Sequence, residues 1–245
     1  MGRQKIAYTR IVAFVLILVG FIPSLVWLHF YLRKVNHPEP RKLLLEVFFF
    51  GILLAPLAVA AQWLFAYIVS QFAPGFDIGS SSTFFLWSAF VEEVVKLIAV
   101  YYLVVHHAEF SEPVDIMIYM VTASLGFAAL ENILVLFKNI PDGVSITMQI
   151  LLFRTVGATL LHALSSALVG YFFALGWYYH HHSRKFLWFG VGIATLFHFT
   201  FNTLLLNFTA LGGLMTSSIL LLGVLFLVSV LFHRVQERSQ TKFMV

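Results

Sequence analysis

Long, continuous blocks of apolar residues dominate the chain, and short polar segments separate them. Each block has about 20 residues or more, which is the length a helix needs to cross the hydrocarbon core of a bilayer. The blocks lack the alternation of apolar and polar residues, in runs of about ten, that marks the strands of a membrane barrel. The sequence therefore predicts an all-α fold, a polytopic transmembrane helix bundle with seven to eight spans. The seven blocks cover residues 8–32, 43–72, 83–105, 114–137, 147–179, 186–206 and 211–232.

The fifth block is too long for one straight span, and it contains Arg154 and Gly157. We expect it to begin at the membrane interface and to bend near Gly157. The sequence leaves open whether this block is one bent helix or two. Pro23 and Pro56 lie inside the first two blocks, where neighbouring helices can pair with the carbonyls that proline leaves free.

Composition supports an integral membrane protein. Hydrophobic residues make up 60% of the 245 residues and charged residues only 11%, with a mean hydropathy of +0.92. A soluble domain carries about 25% charged residues. We interpret residues 1–245 as one membrane domain with a motif core at about 31–205. The absence of cysteine excludes disulfide, iron–sulfur and thiol chemistry.

Basic residues in the loops predict the orientation, because cytoplasmic loops carry an excess of lysine and arginine. With seven spans and the amino terminus outside, nine basic residues lie on the cytoplasmic side and four outside. The carboxyl terminus is then cytoplasmic. The net charge of +4 lies mostly in these short loops, so it indicates orientation and not nucleic-acid binding. The cytoplasmic set is Arg33, Lys34, Arg41, Lys42, Arg184, Lys185, Arg234, Arg238 and Lys242, and the outer set is Arg3, Lys5, Arg10 and Lys138.

Ionisable residues inside the apolar blocks are the candidates for function. Glu92, Glu93 and Lys96 lie in the third block, and a charged residue at that depth costs roughly 2.5–3.5 kcal/mol. At about 1.5 Å of rise per residue, the acidic and imidazole groups of four blocks share a layer roughly 6–14 Å below the outer face. These candidates are Glu92 in block three, Glu131 in block four, His162 in block five, and His198 with Asn202 in block six.

Two chemical interpretations of these residues end in hydrolysis. In the first, a buried glutamate takes a proton from water while His198 and Asn202 stabilise an oxyanion. In the second, His162, His198 and Glu131 hold a zinc ion with an open fourth position. Lys96, Phe127 and Arg154 are supporting residues: Lys96 orients a glutamate, and Arg154 either pairs with a buried carboxylate or lies at the outer interface.

Several known types of intramembrane hydrolase are excluded by their motifs. The chain has no H-E-x-x-H sequence, which a zincin-like protease needs. It has no cysteine and no serine in a G-x-S-G setting. None of its three aspartates lies in a G-x-G-D arrangement, which excludes a presenilin-like dyad. Glutamate and histidine remain as candidates for the chemistry.

An ordered set of motifs runs through the chain. The motifs are Glu39-Pro40, Glu92-Glu93-x-x-Lys96, Glu112-Pro113-x-Asp115-x-x-x-Tyr119, Gly126-Phe127-x-x-x-Glu131-Asn132, His162-Ala163-Leu164 with Gly170-Tyr171, and His198. This set resembles the PrsW family of intramembrane proteases, which is distantly related to the CAAX prenyl endopeptidases and bacteriocin-immunity-type membrane proteases. The basic loop that follows Tyr31 also fits, and the resemblance covers roughly 170 residues.

The resemblance implies an endopeptidase with a first catalytic motif of Glu92 and Glu93, a second of Glu131 and a later one of His198. His162 is a further candidate. It also implies a membrane-anchored protein substrate, as in the site-1 cleavage of anti-sigma factors, and a bacterial or archaeal plasma membrane. The last motif here reads His198-x-x-x-Asn202, where PrsW proteins often carry aspartate, and an amide cannot act as a base.

Two other classes of protein fit the same embedded charges. Carboxylates and histidines at mid-membrane depth also mark proton and ion transporters, although no inverted repeat is visible here. A non-catalytic membrane scaffold is the second alternative, in which Glu92 and Lys96 form an ion pair that only joins helices. No organic cofactor is expected, zinc stays open, and the oligomeric state cannot be deduced from the sequence.

Overall fold

The computed structural model describes residues 2–34, 39–105, 107, 112–179, 183–207 and 210–242. Across these ranges the chain forms α-helices and no strand, which confirms the all-α polytopic bundle. Short 3-10 helices, Ile78–Ser80 and Ile140–Asp142, precede the third and fifth α-helices. The α-helices are α1 (Gly2–Leu32), α2 (Arg41–Phe72), α3 (Ser82–Leu103), α4 (Pro113–Asn139), α5 (Val144–Val156), α6 (Ala158–Tyr178), α7 (Ser183–Asn207) and α8 (Ala210–Lys242).

Six ranges of the described chain are long and apolar enough to cross a membrane. The helix α3 is not among them, because Glu92, Glu93 and Lys96 lie near its centre. Its 22 residues nevertheless give a length of about 33 Å, sufficient for a span. We therefore treat α3 as the seventh span, the one that carries the charged residues. The six apolar ranges are Arg10–Leu32, Arg41–Phe72, Pro113–Asp142, Val144–Tyr178, Arg184–Leu206 and Leu211–Arg238.

The bend predicted at Gly157 is a complete break between two helices. Gly157 has φ −101° and ψ −96°, so α5 ends at Val156 and α6 begins at Ala158. The Gly157 N–H still donates to the Phe153 carbonyl at 2.8 Å, and a Cβ at residue 157 would lie 2.8 Å from that oxygen. The fifth block is therefore two helices joined by a single residue.

The helix α4 lies at the centre of the bundle and packs against α1, α2, α3 and α6. Its residues from Val114 to Ala129 are all buried. The helices at the periphery expose large apolar side chains instead, such as Leu53, Trp63 and Phe226, each at least 67% exposed. An apolar surface of this kind suits contact with lipid tails, in agreement with a bundle that sits inside a bilayer.

Glycines let α2 and α4 approach each other closely. A Cβ at Gly126 would lie 2.0 Å from the carbonyl oxygen of Phe48, and a Cβ at Gly51 would lie 2.1 Å from that of Ala123. No real Cβ approaches a backbone oxygen so closely. Small residues at helix contacts are the usual device for such packing in membranes. Gly126 and Gly51 thus allow α2 and α4 to pack backbone against backbone.

Acidic groups gather where α2 and α4 begin. The Tyr119 hydroxyl donates to Glu39 Oε2 at 2.6 Å, and the Glu112 N–H donates to Asp115 Oδ2 at 2.8 Å in a capping box. Burial raises the pKa of the Glu39 carboxyl to about 8, and the nearby Asp115 and Glu112 carboxylates raise it further against the opposing Tyr119 bond. The Glu39-Pro40 and Glu112-Pro113 motifs therefore contact each other through α4, away from the residues on α3 and α7.

We expect Gly126→Ala to destabilise the protein, because the new Cβ forces α2 away from α4. Overpacking of this kind costs about 1–3 kcal/mol. The matched control is Gly223→Ala on α8, where a Cβ meets nothing within 4 Å. Thermal unfolding in detergent should show a lower melting temperature for the first variant only. Equal melting temperatures would contradict the close contact.

We expect the stability of the protein to fall as pH rises from about 4.5 to about 8 through Glu39. In that window the folded chain keeps a proton that the unfolded chain, with the ordinary carboxyl pKa of 4.5, has released. Glu39→Gln removes this contribution, so its melting temperature should exceed the wild-type value by a margin that grows between pH 5 and 8 and is constant above. A margin independent of pH would show that the Glu39 carboxyl is not buried as described.

Candidate functional site

Four helices bring acidic and imidazole side chains to one place inside the bundle. These residues are Glu92 and Glu93 of α3, Glu131 of α4, His162 of α6 and His198 of α7, and we call them the Glu–His cluster. All except Glu131 are buried. Hydrogen bonds and short ionic contacts connect all five. Four of the five residues that the sequence predicted to share a depth are thus connected, and the fifth, Asn202, is not among these contacts.

Signals at the helix ends set the position of these side chains. The Ser81 hydroxyl accepts the N–H of Phe84 at 3.1 Å and so caps the start of α3. After the break at Gly157, α6 begins at Ala158, four residues before His162, which places this histidine in the second turn of the helix. Local sequence therefore decides where two of the four helices begin.

Glu93 is fully buried and has the most partners in the cluster. Its Oε1 accepts from Lys96 Nζ at 2.7 Å and from Ser165 Oγ at 2.9 Å, and lies 3.0 Å from His198 Nδ1. Its Oε2 accepts from Ser166 Oγ at 3.3 Å. A carboxylate with this many donors is fixed in orientation and is a strong acceptor for the imidazole. Glu93 therefore orients His198, with Nδ1–H donating to Glu93 and Nε2 left as the free nitrogen.

His162 lies between two charged groups on opposite sides of its ring. Its Nδ1 is 2.8 Å from Lys96 Nζ, and its Nε2 is 2.8 Å from Glu131 Oε2. Because an ammonium can only donate, Nδ1 accepts from Lys96 and Nε2–H donates to Glu131. Arg154 Nη2 also donates to Glu131 Oε2 at 3.0 Å, and Arg154 Nε donates to Asn132 at 2.7 Å. Arg154 is thus the partner of a carboxylate, one of the two roles that the sequence left open.

Glu92 differs from the other acids because one of its oxygens has no partner. Its Oε1 accepts from Gln62 Nε2 at 2.9 Å and from Ser88 Oγ at 3.1 Å. Its Oε2 is buried and makes no hydrogen bond within the described part of the chain. That oxygen lies 3.7 Å from His198 Nε2 and 4.0 Å from His162 Nδ1. An orphaned carboxylate oxygen that faces two imidazoles is the position where a water molecule or a cation fits.

The same three residues have the composition of a metal site. One ligand atom each from Glu92, His162 and His198 can be chosen so that all three lie within 4.8 Å of one another. Two imidazoles and one carboxylate with an open position form a catalytic zinc ligand set. Ligating histidines usually donate their other N–H to a carboxylate. Here Glu93 takes that place for His198 and Glu131 for His162.

Two pairings differ from those that the sequence suggested. Glu131, the expected third metal ligand, lies on the far side of the His162 ring from Glu92, since α4 and α3 approach His162 from different directions. Lys96 pairs with Glu93, three residues before it, and not with Glu92, four residues before it. Adjacent residues of a helix point about 100° apart, so the two glutamates reach different neighbours.

Phe127 and Asn202 have different relations to the cluster. The Phe127 ring lies 5.6 Å from the His162 ring, and Lys96 Nζ lies 5.0 Å from its centroid, so Phe127 supports both groups. Asn202 lies one turn after His198 on α7 and is half-buried. Among the hydrogen bonds of the described residues that hold the Glu–His cluster, none involves Asn202.

Several polar residues of the site were missed by the sequence analysis. Each of them is an uncharged polar side chain in an otherwise apolar helix. Ser165 and Ser166 follow His162 at helical spacings of three and four, a signal that was available in the sequence. Gln62 gave a weaker signal, because a single amide in α2 does not reveal which helix it faces. The missed residues are Gln62, Ser88, Thr159, Ser165 and Ser166.

Comparison with known proteins identifies relatives that cover most of the chain. Residues 39–232 match the model of the PrsW family of intramembrane metalloproteases. A protein named Protease PrsW from Geobacillus kaustophilus is 34% identical over 194 residues, which are 79% of this chain and 80% of that protein. Protease PrsW from Oceanobacillus iheyensis is 27% identical over 206 residues, 84% of this chain and 90% of that protein.

A third relative, Protease PrsW from Bacillus subtilis, is 35% identical over 129 residues, 51% of this chain and 56% of that protein. No solved structure matches the chain significantly. The family match spans the helices from α2 to most of α8 and includes every member of the Glu–His cluster. The resemblance suggested by the ordered motifs is therefore confirmed, and the chain belongs to the PrsW family of intramembrane metalloproteases.

Proposed function

We propose that the protein hydrolyses a peptide bond of a membrane-anchored protein substrate, using water held in the Glu–His cluster. As a member of a family of intramembrane proteases, the chain is a membrane-embedded peptidase. The observation that supports the cluster as the reaction site is the unpartnered Glu92 Oε2, which faces His198 Nε2 at 3.7 Å. No other carboxylate of the cluster has a free oxygen beside two imidazoles within the described residues.

In this mechanism Glu92 takes the proton from the attacking water. Gln62 and Ser88 hold its Oε1, so Oε2 stays directed at the histidines. Burial strengthens the interaction of this oxygen with a water proton, because the site has a low local dielectric. Glu92 is thus a fixed general base, whose contribution to such reactions is about 10²–10⁴-fold in rate.

The developing negative charge of the substrate carbonyl needs a cation or a hydrogen-bond donor, and the two histidines would hold such a cation, because neither ring has an N–H free to donate. His198, oriented by Glu93, and His162, oriented by Glu131, approach the same point from α7 and α6. Asn202 supplies an amide donor one turn from His198, and we assign it to the oxyanion as well. Glu92 then returns the proton that it took from water to the amide nitrogen as the C–N bond breaks, which releases the new amine and the new carboxyl group. Glu131, whose side chain is 30% exposed, remains the acceptor for His162.

The ligand set suits a divalent ion, and we propose zinc held by Glu92, His162 and His198. Glu131, the alternative third ligand, then accepts the outer N–H of His162. In that case Glu92 would be a ligand and no longer the base, and the bound zinc would supply the activation of water, by lowering its pKa to about 7, and the polarisation of the carbonyl. Binding at His162 Nδ1 needs the lone pair that now accepts from Lys96, so Lys96 and a cation compete for this nitrogen.

The substrate we propose is an anti-sigma-factor-like protein with a single span, cut at site 1. The resemblance to PrsW proteins supports this assignment. We place the protein in a bacterial plasma membrane with the amino terminus outside and the carboxyl terminus in the cytoplasm. The distribution of basic residues supports that orientation, and the relatives named above are bacterial proteins.

We expect Glu92→Gln and His198→Ala each to reduce cleavage at least about 100-fold, because each removes a group at the reacting atoms. The assay uses purified protein in liposomes with a reporter, a tagged single-span anti-sigma factor that keeps its outer juxtamembrane segment. The matched control is Glu46→Gln, which removes an exposed carboxylate paired with Lys42 at 3.8 Å. Cleavage by both site variants at the wild-type rate would refute the assignment, and ion movement without any cleavage would favour a transporter.

We expect one zinc ion per purified chain, with activity lost after strong chelation and restored by zinc. Glu92→Gln should lose the metal, whereas Glu131→Gln should keep it with about 10–100-fold weaker affinity, the usual effect of removing a carboxylate behind a ligating histidine. Elemental analysis by mass spectrometry measures both. Full activity of the metal-free protein would contradict the zinc proposal and leave the Glu92 carboxylate to activate water by itself. If Glu131→Gln loses the metal and Glu92→Gln keeps it, the third ligand is Glu131 and not Glu92.

A further inference from the structure

An apolar groove opens on the surface beside the Glu–His cluster. Its volume is about 450 Å³. Two of its walls are α3 and α7, the helices that carry Glu92, Glu93 and His198, and α2 contributes the third side. We call it the α3–α7 groove. It is lined by Phe65, Leu86, Trp87, Phe90, Gly192 and Thr195.

Contacts between α2 and α3 hold two walls of the groove in place. The Trp87 ring stacks on Phe65 with centroids 5.2 Å apart, and its Nε1 donates to the Ala61 carbonyl at 3.4 Å. Gln62, the residue after Ala61 on α2, bonds to Glu92. The groove wall and the unpartnered carboxylate are therefore fixed by the same stretch of α2.

Gly192 keeps the groove open on the α7 side. A Cβ at this residue would meet nothing within 4 Å. Gly190, two residues earlier, is different, because a Cβ there would lie 2.7 Å from the Phe172 side chain. The close contact with Phe172 explains why residue 190 is a glycine, whereas no packing contact requires a glycine at residue 192. A glycine in a helix weakens it unless the space it leaves is used.

Thr195 places an unused hydrogen-bonding group in this apolar wall. It is 6% exposed, and its Oγ1 has no partner in the described structure. On the same helix, Thr200 and Thr203 bond to carbonyls four residues back, at 2.7 and 2.8 Å. The Thr195 hydroxyl makes no such bond, although Thr195 also lies inside α7. Thr195 lies three residues before His198 on this helix. A buried hydroxyl without a partner is unfavourable unless something else binds it.

The chemistry of this wall selects one class of occupant. A lipid tail fills an apolar groove but has no group for the Thr195 hydroxyl. A regular helix also lacks one, because its backbone groups are satisfied internally. An unwound apolar peptide has both an apolar surface and spare N–H and C=O groups. A peptide bond must also leave its helix before a water molecule can attack it, so an unwound segment is the form a protease needs.

We propose that the α3–α7 groove binds the apolar segment of the membrane-anchored substrate, unwound beside Thr195, and leads its scissile bond to Glu92 and His198. This inference rests on the proposed peptidase function and adds the route and the binding surface of the substrate. Thr195 is a positioning residue in this account, and Gly192 sets the width of the groove.

The test measures cleavage of the reporter by Gly192→Leu and by a matched control, Gly223→Leu on α8. Both glycines are exposed, and a Cβ at either meets nothing within 4 Å. The new leucine side chain enters the groove at residue 192 but not at residue 223. We expect Gly192→Leu to raise the KM for the reporter at least tenfold and Gly223→Leu to change it less than twofold. The zinc content of both variants should equal that of the wild type.

A second pair of variants keeps the inference testable if Gly192→Leu does not fold. Thr195→Val has nearly the same shape, and Thr195→Ser keeps the hydroxyl. Loss of one hydrogen bond should raise the KM about fivefold in Thr195→Val, with kcat little changed, and Thr195→Ser should restore it. Because Oγ1 has no partner in the free protein, Thr195→Val should not lower the melting temperature.

A photoreactive residue in place of Leu196, which also lines the groove, tests occupancy directly. In the Glu92→Gln background it should crosslink to the apolar segment of the reporter, whereas the same residue in place of the exposed Leu222 of α8 should not. Crosslinks to lipid alone, or cleavage by Gly192→Leu and Thr195→Val at wild-type KM, would overturn the inference while the wild type still cleaves. A wild type that does not cleave the reporter would overturn the proposed function and this inference together.

Discussion

Charged groups inside an apolar bundle must find partners of opposite charge or hydrogen-bond donors, and this requirement organises the centre of the protein. Each embedded charge costs roughly 2.5–3.5 kcal/mol on insertion scales, so several unpaired acids would strongly destabilise the inserted protein. The chain meets the requirement with Lys96 between Glu93 and His162, and with Arg154 behind Glu131. The pairs join α3, α4, α5 and α6, so the same interactions that neutralise charge also fix the relative positions of the helices.

Two adjacent glutamates have different surroundings as a result. Glu93 is fully buried and bonded through both oxygens, whereas Glu92 keeps one oxygen without a partner beside the two histidines. The 100° turn between neighbouring helix residues produces this division, because it directs one side chain to α6 and the other to α2. Glu93 is a rigid acceptor that orients the His198 imidazole, and Glu92 beside it has a free carboxylate oxygen. Together these two groups form a site that can activate water. The E-E motif therefore has a physical reason: one acid holds the site together, and the other is available for chemistry.

The sequence was sufficient to predict the all-α polytopic bundle, a bend at Gly157 and the convergence of Glu92, Glu131, His162 and His198, because these follow from the length of the apolar blocks and from the rise per residue. It was not sufficient to predict which partner each group takes. Lys96 selects Glu93 and not Glu92, and Glu131 lies behind His162, because rotation of each helix about its axis decides both. Rotation depends on packing contacts such as Gly126 against Phe48, which join residues distant in sequence. The serines of α6 could have been predicted, because Ser165 and Ser166 follow His162 at helical spacings, but the sequence does not show that they bond to Glu93.

The most direct test of the central claim is the source of the oxygen atom in the new carboxyl terminus. The purified protein cleaves a single-span substrate in water labelled with heavy oxygen, and mass spectrometry reads the product. The account predicts one heavy oxygen in the new carboxyl group, at a bond within or beside the membrane segment, and no such product when Glu92 is replaced by glutamine. A labelled product formed equally well without the Glu92 carboxylate, or no cleavage by the intact protein, would contradict it.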